Sequence, residues 1–112
     1  VGTGNKVEDF GVGFYTKYGD GGVDISPIAD CNKTEVWELG KELGILKEII
    51  DAPPTDGLWD DGRTDEGQLG LSYKELEEAM DNENSVNRDK YNSIRSANLH
   101  KMEPIPVCKI PN

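Results

Sequence analysis

The chain has 112 residues, 35% of them hydrophobic and 30% charged, which suits one modest globular domain, or part of a larger one, with a thin core. Its 22 acidic against 12 basic residues give a formal net charge of −10, which argues against general binding to nucleic acid or to an anionic membrane. No apolar run is long enough to span a bilayer, and no signal-peptide pattern is present.

In chain order, VGTGN reads as the end of a strand entering a turn. Asn5 or Thr3 then caps a helix expected across residues 6–18, weakened at Gly11 and Gly13 by about 1 kcal/mol each relative to Ala. VDISPI, residues 23–28, alternates as a short strand with Val23, Ile25 and Ile28 toward a core. Asn32 and Glu35 have capping-box spacing and open a helix over residues 33–43, with Val36, Leu39 and Leu43 on one face and Gly44 at the C-terminal stop. Leu46, Ile49 and Ile50 add an apolar turn. Residues 53–67, PPTDGLWDDGRTDEG, have no period and read as a long solvated loop whose acids at 56, 60, 61, 65 and 66 do not match a calcium-loop spacing. Ser72 and Glu75 form a second capping box, opening a helix with Tyr73, Leu76 and Met80 inward. A further helix over residues 85–98 buries Tyr91 and Ile94, and prolines at 104, 106 and 111 keep the tail extended. The order of the first elements suggests the last parallel units of an α/β sheet followed by a helical end. The start at Val1 and the open sheet edge lead us to expect an upstream portion.

Several residues have chemical readings beside plainer ones. GTGNKVE, residues 2–8, sits where an open α/β sheet binds nucleotides, and it equally fits a glycine turn with a capping threonine. Glu8, in the first helical turn, either ligates Mg2+ through phosphates or complements the helix dipole. Lys17 and Asp24 bracket the glycine turn YGDGG, as surface and turn residues or as ligand contacts. Lys33 opposes the dipole of the helix it opens, which suggests a phosphate partner. His100 is the single histidine, so a histidine metal cluster is excluded. Cys31 and Cys108 have no metal-site spacing and are expected as two reduced thiols.

The series GTGNKVEDFGVGFYTKYGDGGVDISPIAD, KTEVWELGKELGI, PPTDGLWDDGRTDEGQLGLSYKELE and the closing HK pair resembles the C-terminal half of ammonia-dependent NAD+ synthetases over nearly the whole chain. The resemblance implies the C-terminal part of an adenine-nucleotide α-hydrolase-like, Rossmann-like α/β parallel-sheet sandwich, residues 1–112 forming one portion of a single domain in a cytoplasmic homodimer. It implies amidation of deamido-NAD+ with ammonia, through an adenylated intermediate formed from ATP with Mg2+. By the same resemblance Thr3, Lys33 and Thr55 contact ATP, Glu8 ligates Mg2+, and Lys17, Asp24, His100 and Lys101 contact deamido-NAD+; no residue acts as a covalent catalyst.

The family's SGGxDS pyrophosphate loop is not in these residues, so the chain alone is expected to be inactive and to work with the N-terminal half of the same enzyme. The alternative is a non-catalytic dinucleotide-binding or dimerising remnant. On the first reading, loop 53–67 is expected to close over the nucleotide, with Thr55 on ATP and Trp59 excluding water.

Overall fold

The computed structural model describes all of residues 1–112 and is built from helices and connecting segments. A π-helix spans Val7–Val12. Five α-helices follow: α1 (Lys33–Glu42), α2 (Lys47–Ile50), α3 (Asp65–Leu69), α4 (Tyr73–Asp81) and α5 (Arg88–Asn98). A 3₁₀ turn, Leu99–Lys101, closes the helical part.

No strand forms. The segments read as strands, residues 1–5 and 23–28, run side by side but are joined only by Gly2 N–H to Ile25 C=O at 2.7 Å and, just beyond, Lys6 N–H to Cys31 C=O at 2.8 Å. Two widely spaced bonds do not make a ladder. The intervening Pro27 has no N–H to donate, and Val23 and Ile25 are exposed rather than directed to a core. Gly2 is required here: a Cβ on it would lie 2.8 Å from Val23 Cγ2 and 3.2 Å from the Ile25 carbonyl.

The helix expected over 6–18 is also shorter than its pattern. Asn5 starts it, its Oδ1 accepting from the N–H groups of Val7 at 3.0 Å and Glu8 at 3.2 Å. Gly13, at φ +72°, ends it by donating its N–H to the Glu8 carbonyl. That i to i+5 bond is the π-helical pattern, a wide turn often found at functional sites.

The later helices start where their caps predict. Ser72 Oγ accepts from Glu75 N–H at 3.1 Å while the Glu75 carboxylate accepts from Ser72 N–H at 3.0 Å. At α1, the Glu35 carboxylate accepts from Asn32 N–H at 2.7 Å, whereas Asn32 Oδ1 is buried without a partner. Thr64 caps α3 through Gly67 N–H at 3.1 Å. Arg88 donates to the Ala79 and Met80 carbonyls, satisfying acceptors that the last turn of α4 leaves open.

One core joins these pieces: Val7, Val12, Leu69, Leu71, Tyr73, Leu76, Ala79 and Tyr91, flanked by Phe14, Trp37, Met80 and Ile94. It draws the π-helix against α4 and α5. Helix α1 buries no residue fully and meets this core through Trp37, whose ring stands edge-on to Tyr73 with centroids 6.3 Å apart. The apolar face shared by Leu39 and Leu43 continues through Ile45, Leu46 and Ile49, and all five are exposed. The shape is correspondingly open: the radius of gyration is 15.8 Å, against about 13 Å for a compact chain of this length. Both cysteines are free, as expected.

Two glycines at φ +72° separate conformational strain from steric conflict. A Cβ at Gly44 would meet nothing within 4 Å, whereas one at Gly13 would lie 2.5 Å from Asn98 Cβ. Gly44→Ala is expected to cost about 1–2 kcal/mol in urea denaturation, the left-handed backbone term alone. Gly13→Ala should cost clearly more, because α5 must also move.

Candidate functional site

The wide π-helical turn and the first residues of α1, α3 and α4 bring four polar side chains together beside the core. Glu8 Oε1 accepts from the Tyr73 hydroxyl at 2.7 Å and lies 3.6 Å from Lys33 Nζ. The ammonium of Lys33 also lies over the Tyr73 ring, 5.1 Å from its centroid. The other Glu8 oxygen accepts from Asn5 N–H at 3.3 Å. On the far side of the phenol, Asp65 Oδ2 lies 3.1 Å from the Tyr73 hydroxyl. Lys33 and Glu8 keep only 19% and 16% of their side-chain surface exposed, so their attraction is screened less than that of a surface pair.

Burial dominates the electrostatics. It pushes the Tyr73 phenol far above its ordinary range, with the Glu8 carboxylate as the second cause, so the hydroxyl remains a donor. Burial also raises the Asp65 carboxyl, against the hydrogen bond from Tyr73, which lowers it.

A neighbouring cleft of about 640 Å³ is lined by Thr3, Phe14, Tyr15, Thr16, Gly19, Asp20, Thr55, Asp56, Leu58 and Lys101. Its floor is tied to the C-terminal segment. Tyr15 donates its hydroxyl to the Lys101 carbonyl at 2.9 Å, and Lys101 Nζ donates to the Gly13 carbonyl at 2.9 Å. Lys17 Nζ donates to the His100 carbonyl at 3.0 Å and to the Glu103 carbonyl. Arg95 donates to the carbonyls of Phe10 and Gly11. Three cations thus clasp residues 10–17 to the end of α5 and the turn after it.

The site residues singled out in the sequence fall into three groups, with Asp24 outside all of them. Thr3, Thr55 and Lys101, far apart in the chain, line the one cleft. Glu8 and Lys33 pair with each other. Lys17 and His100 meet through the clasp, where the His100 backbone rather than its ring is used. Asp24 is exposed and does not line the cleft. Asp65, read as a solvated loop acid, is instead 6% exposed, because Thr64 starts a helix there and turns it under Tyr73. Tyr73 was read as a core residue. It is one, but its hydroxyl is the centre of the polar cluster. Neither role has a local signal, since Glu8 and Tyr73 are 65 positions apart.

A single carboxylate in such a cluster is what a chain contributes to Mg2+ when phosphates and water fill the other positions. The residues fit that role and no larger one, since no group of three or more His, Cys, Asp or Glu side chains is arranged to hold an ion.

If Lys17 holds the turn after α5, Lys17→Met should speed amide exchange of residues 99–103 by at least about tenfold, the loss of its charged hydrogen bonds to the His100 and Glu103 carbonyls. Exchange in the core helix α4 should stay unchanged. Mass spectrometry of the exchanged peptides reads both.

The NAD synthase family model matches residues 1–109. The NH(3)-dependent NAD(+) synthetase of Methanosarcina acetivorans is 54% identical over 80 residues, covering 71% of this chain and 30% of that protein. The enzyme of the same name from Alkaliphilus oremlandii is 48% identical over 112 residues, covering 98% and 44%. A solved NMN synthetase from Francisella tularensis superposes with a TM-score of 0.86 at 35% identity, covering 97% of this chain and 46% of that one. The chain therefore spans less than half the length of each of these relatives. Matched along almost all of its residues, the chain belongs to the NAD synthase family.

Proposed function

We propose that this chain supplies the C-terminal half of an ammonia-dependent NAD+ synthetase that is cytoplasmic and homodimeric. It acts with an N-terminal half that carries the pyrophosphate-binding loop, and together they form the α/β sandwich. The observation that carries the reading is the convergence of Thr3, Thr55 and Lys101 on one cleft in a chain of this family.

The reaction has two displacements. The nicotinate carboxylate of deamido-NAD+ attacks the α-phosphorus of ATP, and the bond to the β-phosphate oxygen breaks to release pyrophosphate. Ammonia then attacks the acyl carbon, losing one proton overall, and AMP leaves. Both steps call for positioning and charge neutralisation more than for a protein nucleophile.

Thr3 and Thr55 offer hydroxyls to ATP, and Lys33 offers it a cation. Lys17, Asp24, His100 and Lys101 border the deamido-NAD+ side, where two lysines supply the positive charge that the acidic chain as a whole lacks. Of three ammonium donors each, Lys17 spends two and Lys101 one on backbone carbonyls, which leaves one and two for a ligand. Glu8 would hold Mg2+, which when bound neutralises charge on the transferring phosphoryl group. That a fold neighbour is named an NMN synthetase raises one specific alternative, that the acceptor is the mononucleotide rather than the dinucleotide.

The activity is tested in a full-length protein containing these residues, given ATP, Mg2+, ammonium and either deamido-NAD+ or nicotinate mononucleotide. The amide of the acceptor, which is NAD+ when the acceptor is deamido-NAD+, should appear in equal amounts with AMP and pyrophosphate. Glu8→Gln, which keeps an acceptor for Tyr73 but not the charge that Lys33 pairs with, should lower turnover by about 100-fold and raise the Mg2+ requirement while the protein still folds. Faster turnover of the mononucleotide assigns the alternative; no AMP from either acceptor overturns both.

Loop 53–67 serves in this reading as a cover for the nucleotide. Thr55, Asp56 and Leu58 wall the cleft. Trp59 is 54% exposed and stacks on Arg63, 4.1 Å from the guanidinium, within the loop rather than on the body. Amide exchange across residues 53–67 should slow when ATP and deamido-NAD+ bind. Equal exchange with and without them would remove the cover from the mechanism.

A further inference from the structure

Tyr73 has one hydroxyl hydrogen and two carboxylate neighbours, Glu8 Oε1 at 2.7 Å and Asp65 Oδ2 at 3.1 Å. It can donate to only one of them. The shorter contact, on a carboxylate that Lys33 also attracts, takes the hydrogen. Asp65 is the second acceptor within reach of that hydroxyl; it is 6% exposed and its other oxygen is buried without a partner. A buried carboxyl with an unsatisfied oxygen costs about 1–3 kcal/mol, so its place needs a reason.

We propose that Tyr73 is a positioning residue for Glu8: its phenol, held in the core with Asp65 3.1 Å from the same hydroxyl, donates to Oε1 and fixes the orientation of the Glu8 carboxylate. This rests on the reading of Glu8 as the Mg2+ ligand. Three constraints meet on the Glu8 carboxylate, namely the phenol, the Lys33 ammonium and Asn5 N–H. Of the three, the phenol comes from the hydrophobic core, where Tyr73 is fully buried and edge-packed on Trp37; Asn5 is buried as well but lies only three residues from Glu8 on the same turn. Groups that orient a metal ligand from behind typically matter by about 10–100-fold in metal affinity or activity.

The test is a double-mutant cycle in a full-length protein containing these residues, reading Mn2+ affinity of the ATP complex by electron paramagnetic resonance and the Mg2+ dependence of turnover. Tyr73→Phe keeps the buried ring and should weaken Mn2+ binding about 10–100-fold. In the Glu8→Gln background the same change should add less than about twofold, because the group it positions is gone. Replacing Tyr73 by p-aminophenylalanine returns a donor at the same place and should restore most of the affinity; it also carries the comparison should Tyr73→Phe not fold. An equal effect of the Tyr73 change in both backgrounds, or none in either while Glu8→Gln retains its own, overturns the positioning role and leaves the assignment of Glu8 standing. An inert Glu8→Gln overturns both.

Discussion

A phenol buried at the start of α4 and a carboxylate on the first turn of the chain meet at 2.7 Å, and much of the structure follows from that contact. It joins the π-helix to α4 through a side chain that also belongs to the core. The hydroxyl of a fully buried tyrosine must find a partner or lose about 1–3 kcal/mol. Satisfying it on Glu8 rather than on a backbone carbonyl brings a charge to the edge of the core. Lys33 then pairs with that charge and draws in the N-terminus of α1, a position its own helix dipole disfavours. A stability requirement and a chemical arrangement share one hydrogen bond.

The other long-range ties have a different character. Lys17, Arg95 and Lys101 all donate to backbone carbonyls rather than to carboxylates, in a chain where acids outnumber bases nearly two to one. Cations that settle on carbonyls leave the local positive charge uncancelled. The segment holding the glycine turn and the tail that closes on it therefore bring three cations together, and the cleft that opens there is lined by Lys101 as well as by Asp20 and Asp56.

The α1–α2 face is the counterpart of this order. Its apolar residues have the helical spacing of a buried stripe, yet five of them are exposed while the core closes on the other side of Trp37. Spacing on a helix states which residues share a face. It does not state whether the rest of the chain covers that face.

Local chemistry was legible in the sequence by itself. The Ser72 box, the Asn32 start, the stop at Gly44 and the breaks at the late prolines depend on neighbours within four residues, and each lies where it was expected. The family was legible too, because its motifs are long and ordered. What depends on pairing between distant segments was not. The strand over 23–28 needs a ladder, and its neighbour supplies one bond within that segment. The helix over 6–18 stops at Val12 because Gly13 turns left-handed against Asn98, 85 residues on. Asp65 looked like one of five loop acids until its helix turned it under the core, and Tyr73 looked purely apolar until Glu8 reached its hydroxyl. Residue type and spacing determined the caps, the stops and the family. Which polar groups share the interior was decided by tertiary packing, because a buried donor takes its partner from whatever the fold brings within about 3 Å, however distant in sequence.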